Sequence, residues 1–140
     1  MQTTRKQTER LATPYRVRAG RPDDWAGIQE WIAKALDIGK ESATEAELQA
    51  RLNEHTCQLW VIEADALTGF AVTYLDAGTF YVWLAGGRSM DWIPDFIEFM
   101  RPVAKKAGCT HIASAVRPGL VGGLKDIGAK TTHYRMELAL

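Results

Sequence analysis

Three extended runs follow one another through the middle of the chain, and the segments between them are too short for helical crossovers. Gln58–Glu63 and Gly69–Leu75 are joined by Ala64-Asp65-Ala66-Leu67-Thr68, and Asp76-Ala77-Gly78 is a turn signal leading into Thr79–Leu84. Parallel neighbours need a connection of a dozen or more residues, so these runs predict an antiparallel meander. Ala85-Gly86-Gly87 closes the third run, where small residues point to a bulge or a strand splaying from its neighbour.

On either side of the meander the apolar period lengthens from two to 3.6. Tyr15, Val17 and Ala19 alternate with Arg16 and Arg18 as a half-buried strand does, and Gly20-Arg21-Pro22 breaks it. Asp23 or Asp24 can cap the next helix, where Trp25, Ile28, Ile32, Ala35 and Leu36 recur at helical spacing up to Ile38-Gly39. Thr44 with Glu47 forms a capping-box pattern ahead of Leu48 and Leu52, in a second helix expected to stop near Glu54. Downstream, Asp91–Lys106 predicts a helix whose apolar set includes Trp92, Phe96, Phe99, Val103 and Ala107. Pro94 suits its first turn, Pro102 predicts a kink or an early end, and Gly108 closes it. His111–Val116 reads as a strand, Gly119–Ile127 as a short helix stopped by Gly128, and Thr132–Leu138 as the last strand. The order β-α-α-β-β-β-α-β-α-β describes an α/β (α+β) domain with a mixed sheet, in which the meander feeds a βαβ unit.

With 140 residues, 46% of them hydrophobic, there is material for one domain over residues 14–140. Residues 1–13 are polar, carry Arg5, Lys6 and Arg10, and read as a flexible arm or one that orders on a partner. Seventeen basic residues balance seventeen acidic ones, so no global field steers the protein toward nucleic acid or membrane. The five tryptophans lie in no basic, aromatic-interleaved run and read as packing residues rather than a base-stacking platform. Cys57 and Cys109 have no metal-type spacing and read as reduced thiols; His55 and His111 have no matching ligands, so no metal site is expected. The apolar runs are too short to span a bilayer and the first residues lack a signal-peptide core, which predicts a soluble, cytoplasmic protein.

Several segments resemble the GNAT N-acetyltransferase superfamily. Arg16-Val17-Arg18-Ala19 with Asp23-Asp24-Trp25 is similar to the family's opening strand and acidic helix start. Trp60-Val61-Ile62-Glu63 through Gly69-Phe70-Ala71 is similar to its second hairpin, and Ala107-Gly108-Cys109-Thr110-His111-Ile112 to its helix-to-strand join. Leu124-Lys125-Asp126-Ile127-Gly128-Ala129, followed by Tyr134-Arg135-Met136-Glu137-Leu138, is similar to its closing segment. The resemblance spans Tyr15 to Leu138. It implies acetyl-CoA, or another acyl-CoA, in a wedge between two splayed strands, with the pyrophosphate on backbone N–H groups at a helix N-terminus. It also implies a base for the amine and an acid for the departing thiolate. The resemblance further implies that acceptor specificity comes from the first helices and the loop after them, here Leu36–Thr44.

On that reading Leu84, Ala85, Gly86, Gly87, Arg88 and Ser89 are the cofactor-binding candidates. Arg88 falls on the first position of the family's [RQ]-x-x-G-x-[GA] loop, whose two small positions are occupied by Asp91 and Ile93. A shifted register uses Gly86, Gly87 and Ser89 instead, while the alternative for Arg88 and Ser89 is a helix cap beside a solvated arginine. Leu124 stands where the family carries its acidic tyrosine, and Arg117 where an asparagine is common. Glu63, near a strand end, is the candidate base or else an exposed strand residue. Tyr134 is the candidate replacement acid, with His133 beside it, although adjacent strand residues point to opposite faces. Two functions stay open: an acetyl-CoA-dependent N-acetyltransferase acting on an unknown amine, and a non-catalytic protein of the same fold. The second is similar to small GNAT-like proteins of tailed bacteriophages, some virion-associated. It implies an arm used for protein contacts, in the host cytoplasm or the virion.

Overall fold

A computed structural model describes residues 14–38, 43–115, 130–132 and 135–140. The arm over residues 1–13, the helix expected over 119–127, Arg117, Leu124, His133 and Tyr134 lie outside the described residues.

The described strands are β1 (Arg16–Ala19), β2 (Gln58–Glu63), β3 (Leu67–Asp76), β4 (Thr79–Gly87), β5 (His111–Ala115), β6 (Lys130–Thr132) and β7 (Arg135–Ala139). The helices are α1 (Trp25–Ile38), which follows a 3-10 turn over Pro22–Asp24, α2 (Glu45–Asn53) and α3 (Ile93–Lys106). The strands form one sheet in the order β1-β2-β3-β4-β5-β7-β6. β1 to β4 pair antiparallel, as the meander predicts, and β4 pairs parallel with β5 across the α3 crossover. The expected mixed sheet is thus present, with one strand more among the described residues than expected. Lys130–Thr132 pairs on Arg135–Ala139, dividing what the sequence suggested was a single last strand over Thr132–Leu138.

The sheet separates two apolar layers. Under α1 and α2 lie Ile28, Ile32 and Leu48 with Val61, Phe70 and Val72; under α3 lie Phe96, Ile97 and Met100 with Ile62, Ala71 and Ile112. Consecutive residues such as Val61 and Ile62 are both fully buried because the inner strands are covered on both faces. Among the described residues the buried polar side chains Thr73 and Ser114 are paired: Thr73 accepts from the Trp60 indole N–H at 2.9 Å, and Ser114 donates to the Val82 carbonyl at 3.1 Å.

Local chemistry explains most boundaries. Thr44 caps α2 by accepting the Glu47 N–H at 3.2 Å, and the helix ends at Asn53 with Glu54 as its C-cap, both as expected. Ala77 and Gly78 both have positive φ, 47° and 82°, the geometry of a tight hairpin whose twist matches its strands. α3 reaches its expected end at Lys106 with no early stop at Pro102, but its buried face differs from the expected one. It runs through Pro102 to Lys106, with Pro102 on the exposed side, where the carbonyl that loses its partner faces water. Its buried face is Ile93, Phe96, Ile97, Met100 and Ala104, whereas Phe99 is 45% exposed and Ala107 is exposed. Apolar residues occupy two sides of this helix, and Phe99 meets the edge of Trp60 at the margin of the layer, 6.4 Å between ring centres.

Among the described residues no helix is long and apolar enough to cross a membrane, and no cluster of three possible metal-ligating side chains occurs. Cys57 and Cys109 are buried free thiols.

Candidate active site

The wedge is built by β4 outrunning β5. Their parallel pairing ends at Val82 and Ser114, while β4 continues beside β3 as far as Gly87, opposite Gly69. The Ser114 hydroxyl, bonded to the Val82 carbonyl, pins the point where the strands part. The register places the bulge at Trp83: Val72 pairs with Leu84 and Thr73 with Val82, so Trp83 is the extra residue. Ala85, Gly86 and Gly87 follow it in regular pairs with Ala71, Phe70 and Gly69, so they continue the strand rather than interrupt it. The bulge changes the phase of the pleat. Phe80, Val82 and Ala85 belong to the layer under α3, while Trp83 and Leu84, although adjacent, both belong to the layer under α1 and α2.

From β4 the chain turns into α3 through Arg88–Trp92. Leu84 and Ala85 are buried, Gly86, Gly87 and Ser89 half-buried, and Arg88 exposed. The Arg88 N–H donates to the Thr68 carbonyl at 3.0 Å and the Ile93 N–H to the Met90 carbonyl at 3.1 Å. The Asp91 N–H donates to Ser89 Oγ at 3.4 Å. The buried Trp92 indole N–H donates to the Ser89 carbonyl at 2.8 Å, and Pro94 has no N–H. An acyl-pantetheine arm therefore fits: β4 beyond Val82 presents a backbone edge that β5 does not pair. The diphosphate end fits less well. The Arg88 N–H is engaged by β3 and those of Asp91 and Ile93 within the loop, which leaves the Arg88 side chain and the positive end of α3 as the cationic features.

Glu63 lies at the sheet end that also holds Gly87, but on β2, with β3 between it and β4. Its Oε1 accepts Arg18 Nε at 2.7 Å, and Arg18 also forms a two-pronged pair with Asp24, 2.8 Å for each contact. Asp24 additionally accepts the Arg21 N–H at 2.7 Å, which caps the 3-10 turn, while its pair with Arg18 ties that turn to β1. The Arg18 guanidinium holds the Asp24 carboxyl at about 2, below its ordinary 3.8. A depressed carboxylate stabilises the fold fully above about pH 4, and that contribution disappears as pH falls through 2. With the Asp24 side chain 11% and Arg18 29% exposed, about 1–2 kcal/mol is at stake after allowing for solvent screening. In urea titrations from pH 5 to pH 2, Asp24→Asn should be less stable at pH 5 and should lack this part of the acid loss. An unchanged pH slope would refute the assignment.

Two cavities lined by described residues lie away from the Arg88–Trp92 turn. One of about 580 Å³ sits between the β1–α1 junction and the end of α2, lined among others by Trp25, Leu52 and His55. The other, of about 430 Å³, lies on the α1/α2 face and has Arg51, Glu54, Tyr74 and Trp83 in its wall. The Arg51 guanidinium stacks 5.1 Å from the centre of the Trp83 ring, whose edge meets Tyr74 at 6.4 Å. Arg51 and Trp83 are brought together from distant segments, and no spacing in the sequence announces them.

No protein-family model matches the sequence, and no curated protein matches it. Solved structures do match. Spermidine N-acetyltransferase from Vibrio cholerae, in complex with CoA and spermine, superposes with a TM-score of 0.73 at 13% identity, over 91% of this chain and 96% of that one. An acetyltransferase from Bacillus subtilis in complex with CoA gives 0.68 at 12% identity, over 90% and 99%. A GNAT family acetyltransferase from Brucella melitensis in complex with acetyl-CoA gives 0.62 at 18% identity, over 90% and 88%. Likeness at these identities speaks for architecture, and on that ground the chain has the fold of the GNAT acetyltransferases.

Proposed function

We propose that this protein is an acetyl-CoA-dependent N-acetyltransferase acting on a small amine. The observation that carries the reading is the wedge itself: β4 parts from β5 at Val82–Ser114, with a bulge at Trp83 and an edge running on to Gly87 that no described residue pairs on that side. Such an edge suits an extended chain bearing amide groups. When bound, acetyl-CoA supplies an activated acyl group as a thioester. In the transfer the amine nitrogen bonds to the acyl carbon and the C–S bond breaks. The amine gives up one proton and the thiolate gains one.

The chain's own residues have three tasks. Leu84–Gly87 align the acyl arm, and Arg88 with Ser89 meets the diphosphate. Glu63 is the candidate base, acting through water because β3 separates its strand from β4, and Tyr134 is the candidate acid. Glu63→Gln and Tyr134→Phe should then lower turnover without changing cofactor affinity.

A ligand present at a hundred times its Kd stabilises a protein by about 2.7 kcal/mol. Millimolar acetyl-CoA is therefore expected to raise the melting temperature, and Arg88→Ala to weaken binding about tenfold, the loss of one charged contact. Absence of any thermal shift would defeat the enzyme reading. A second reading, a non-catalytic GNAT-fold protein of the bacteriophage, virion-associated kind, is favoured by one feature. The loop N–H groups of Arg88, Asp91 and Ile93 are already satisfied. In that case no acyl-CoA is bound, and residues 1–13 are the contact with a protein partner.

A further inference from the structure

We infer that the cavity of about 430 Å³ on the α1/α2 face is the acceptor site and that it takes a free amino acid with an apolar side chain, not a polyamine. The inference rests on the acyltransferase reading and adds the acceptor's chemical class. Position is the first argument. Trp83 lines the cavity and is also the bulge residue next after Val82, where β4 leaves β5, so the cavity adjoins the proposed acyl wedge.

Charge is the second argument. Arg51 and Glu54 both line the cavity, and neither forms an ion pair with the other or with any described residue. The cavity thus offers one cation and one carboxylate at the same time, complementary to a zwitterion. The guanidinium, its plane supported by Trp83, suits two-pronged binding of a carboxylate. Glu54 accepts a hydrogen bond from the ammonium as it docks, before the proton is shed. A polyamine would bring several positive charges to Arg51 and offer it no partner. The Tyr74 and Trp83 rings supply an apolar wall, and the volume lies at the low end of the roughly 300–1,000 Å³ range of small-molecule sites.

The test uses calorimetry on the full chain with L-phenylalanine, phenethylamine (the same molecule without its carboxylate) and spermidine as probes, with and without acetyl-CoA. Phenylalanine should bind at least tenfold more tightly than either amine, because only it engages Arg51 with a charged hydrogen bond. Arg51→Gln should remove that preference by weakening phenylalanine at least tenfold, while phenethylamine, a cation relieved of a like charge, binds no more weakly than before. Equal affinity for phenylalanine and phenethylamine on the unaltered protein, tighter binding of spermidine, or no amino-acid binding while acetyl-CoA binds would each overturn the inference. Phenylalanine binding that depends on Arg51 without any acetyl-CoA binding would uphold the site and defeat the acyltransferase reading instead.

Discussion

Trp92→Ala is expected to destabilise the protein by roughly 3–5 kcal/mol, the range for deleting a fully buried large aromatic side chain. The indole is 0% exposed and meets Phe96 edge-on at 5.8 Å. It fills the space that the missing side chain of Gly69 leaves: a Cβ at Gly69 would come within 2.6 Å of the indole nitrogen. Its N–H holds the Ser89 carbonyl. One side chain thus joins the start of α3, the turn after β4 and the beginning of β3. Trp92→Phe keeps most of the volume and loses the hydrogen bond, so it should cost only about 1–2 kcal/mol. Because it frees the turn that carries Arg88 and Ser89, it should also weaken acetyl-CoA binding while the fold survives. Chemical denaturation measures the first effect and calorimetry the second. A loss below 1 kcal/mol for Trp92→Ala would mean that the indole does not pin the turn.

The parts of this fold that could be read from the sequence are those set by local rules. The Asp76–Thr79 hairpin, the Thr44 cap and the apolar face of α1 each depend on residues within one or two turns of each other. The errors arose where composition carries no phase. Val82-Trp83-Leu84 is one apolar run and does not reveal that Trp83 and Leu84 share a face, so the glycines after it drew the bulge downstream. On α3 too many apolar residues compete for the buried side, and only the packed sheet chooses between Phe99 and Met100. The site was legible as a segment but not as an environment. That Thr68 takes the Arg88 N–H, that Glu63 shares Arg18 with Asp24, and that Arg51 stands over Trp83 are contacts between distant parts of the chain, whereas the Asp91 and Ile93 N–H groups are engaged by near neighbours within the turn.

Gly87→Ala is expected to cost about 2–4 kcal/mol, because two penalties coincide at that position. Its φ of 154° lies in a region that L residues rarely adopt. An added Cβ would also collide with the Thr68 carbonyl oxygen and come within 2.7 Å of the Gly69 Cα. Both are backbone atoms, so no rotamer change relieves the contact. The Thr68 carbonyl moreover accepts the Arg88 N–H, so displacing it loosens the turn that presents Arg88 and Ser89. Gly78 separates the two penalties: its φ is also positive, 82°, but a Cβ there would meet nothing within 4 Å. Gly78→Ala should therefore cost only about 1–2 kcal/mol, the conformational part alone. It should also leave acetyl-CoA affinity unchanged, because it sits at the far end of β4. Equal losses at the two positions in urea denaturation would show that crowding at Gly87 is relieved by movement of β3. The close approach of β3 to β4 beneath the turn that carries Arg88 and Ser89 would then not be rigid.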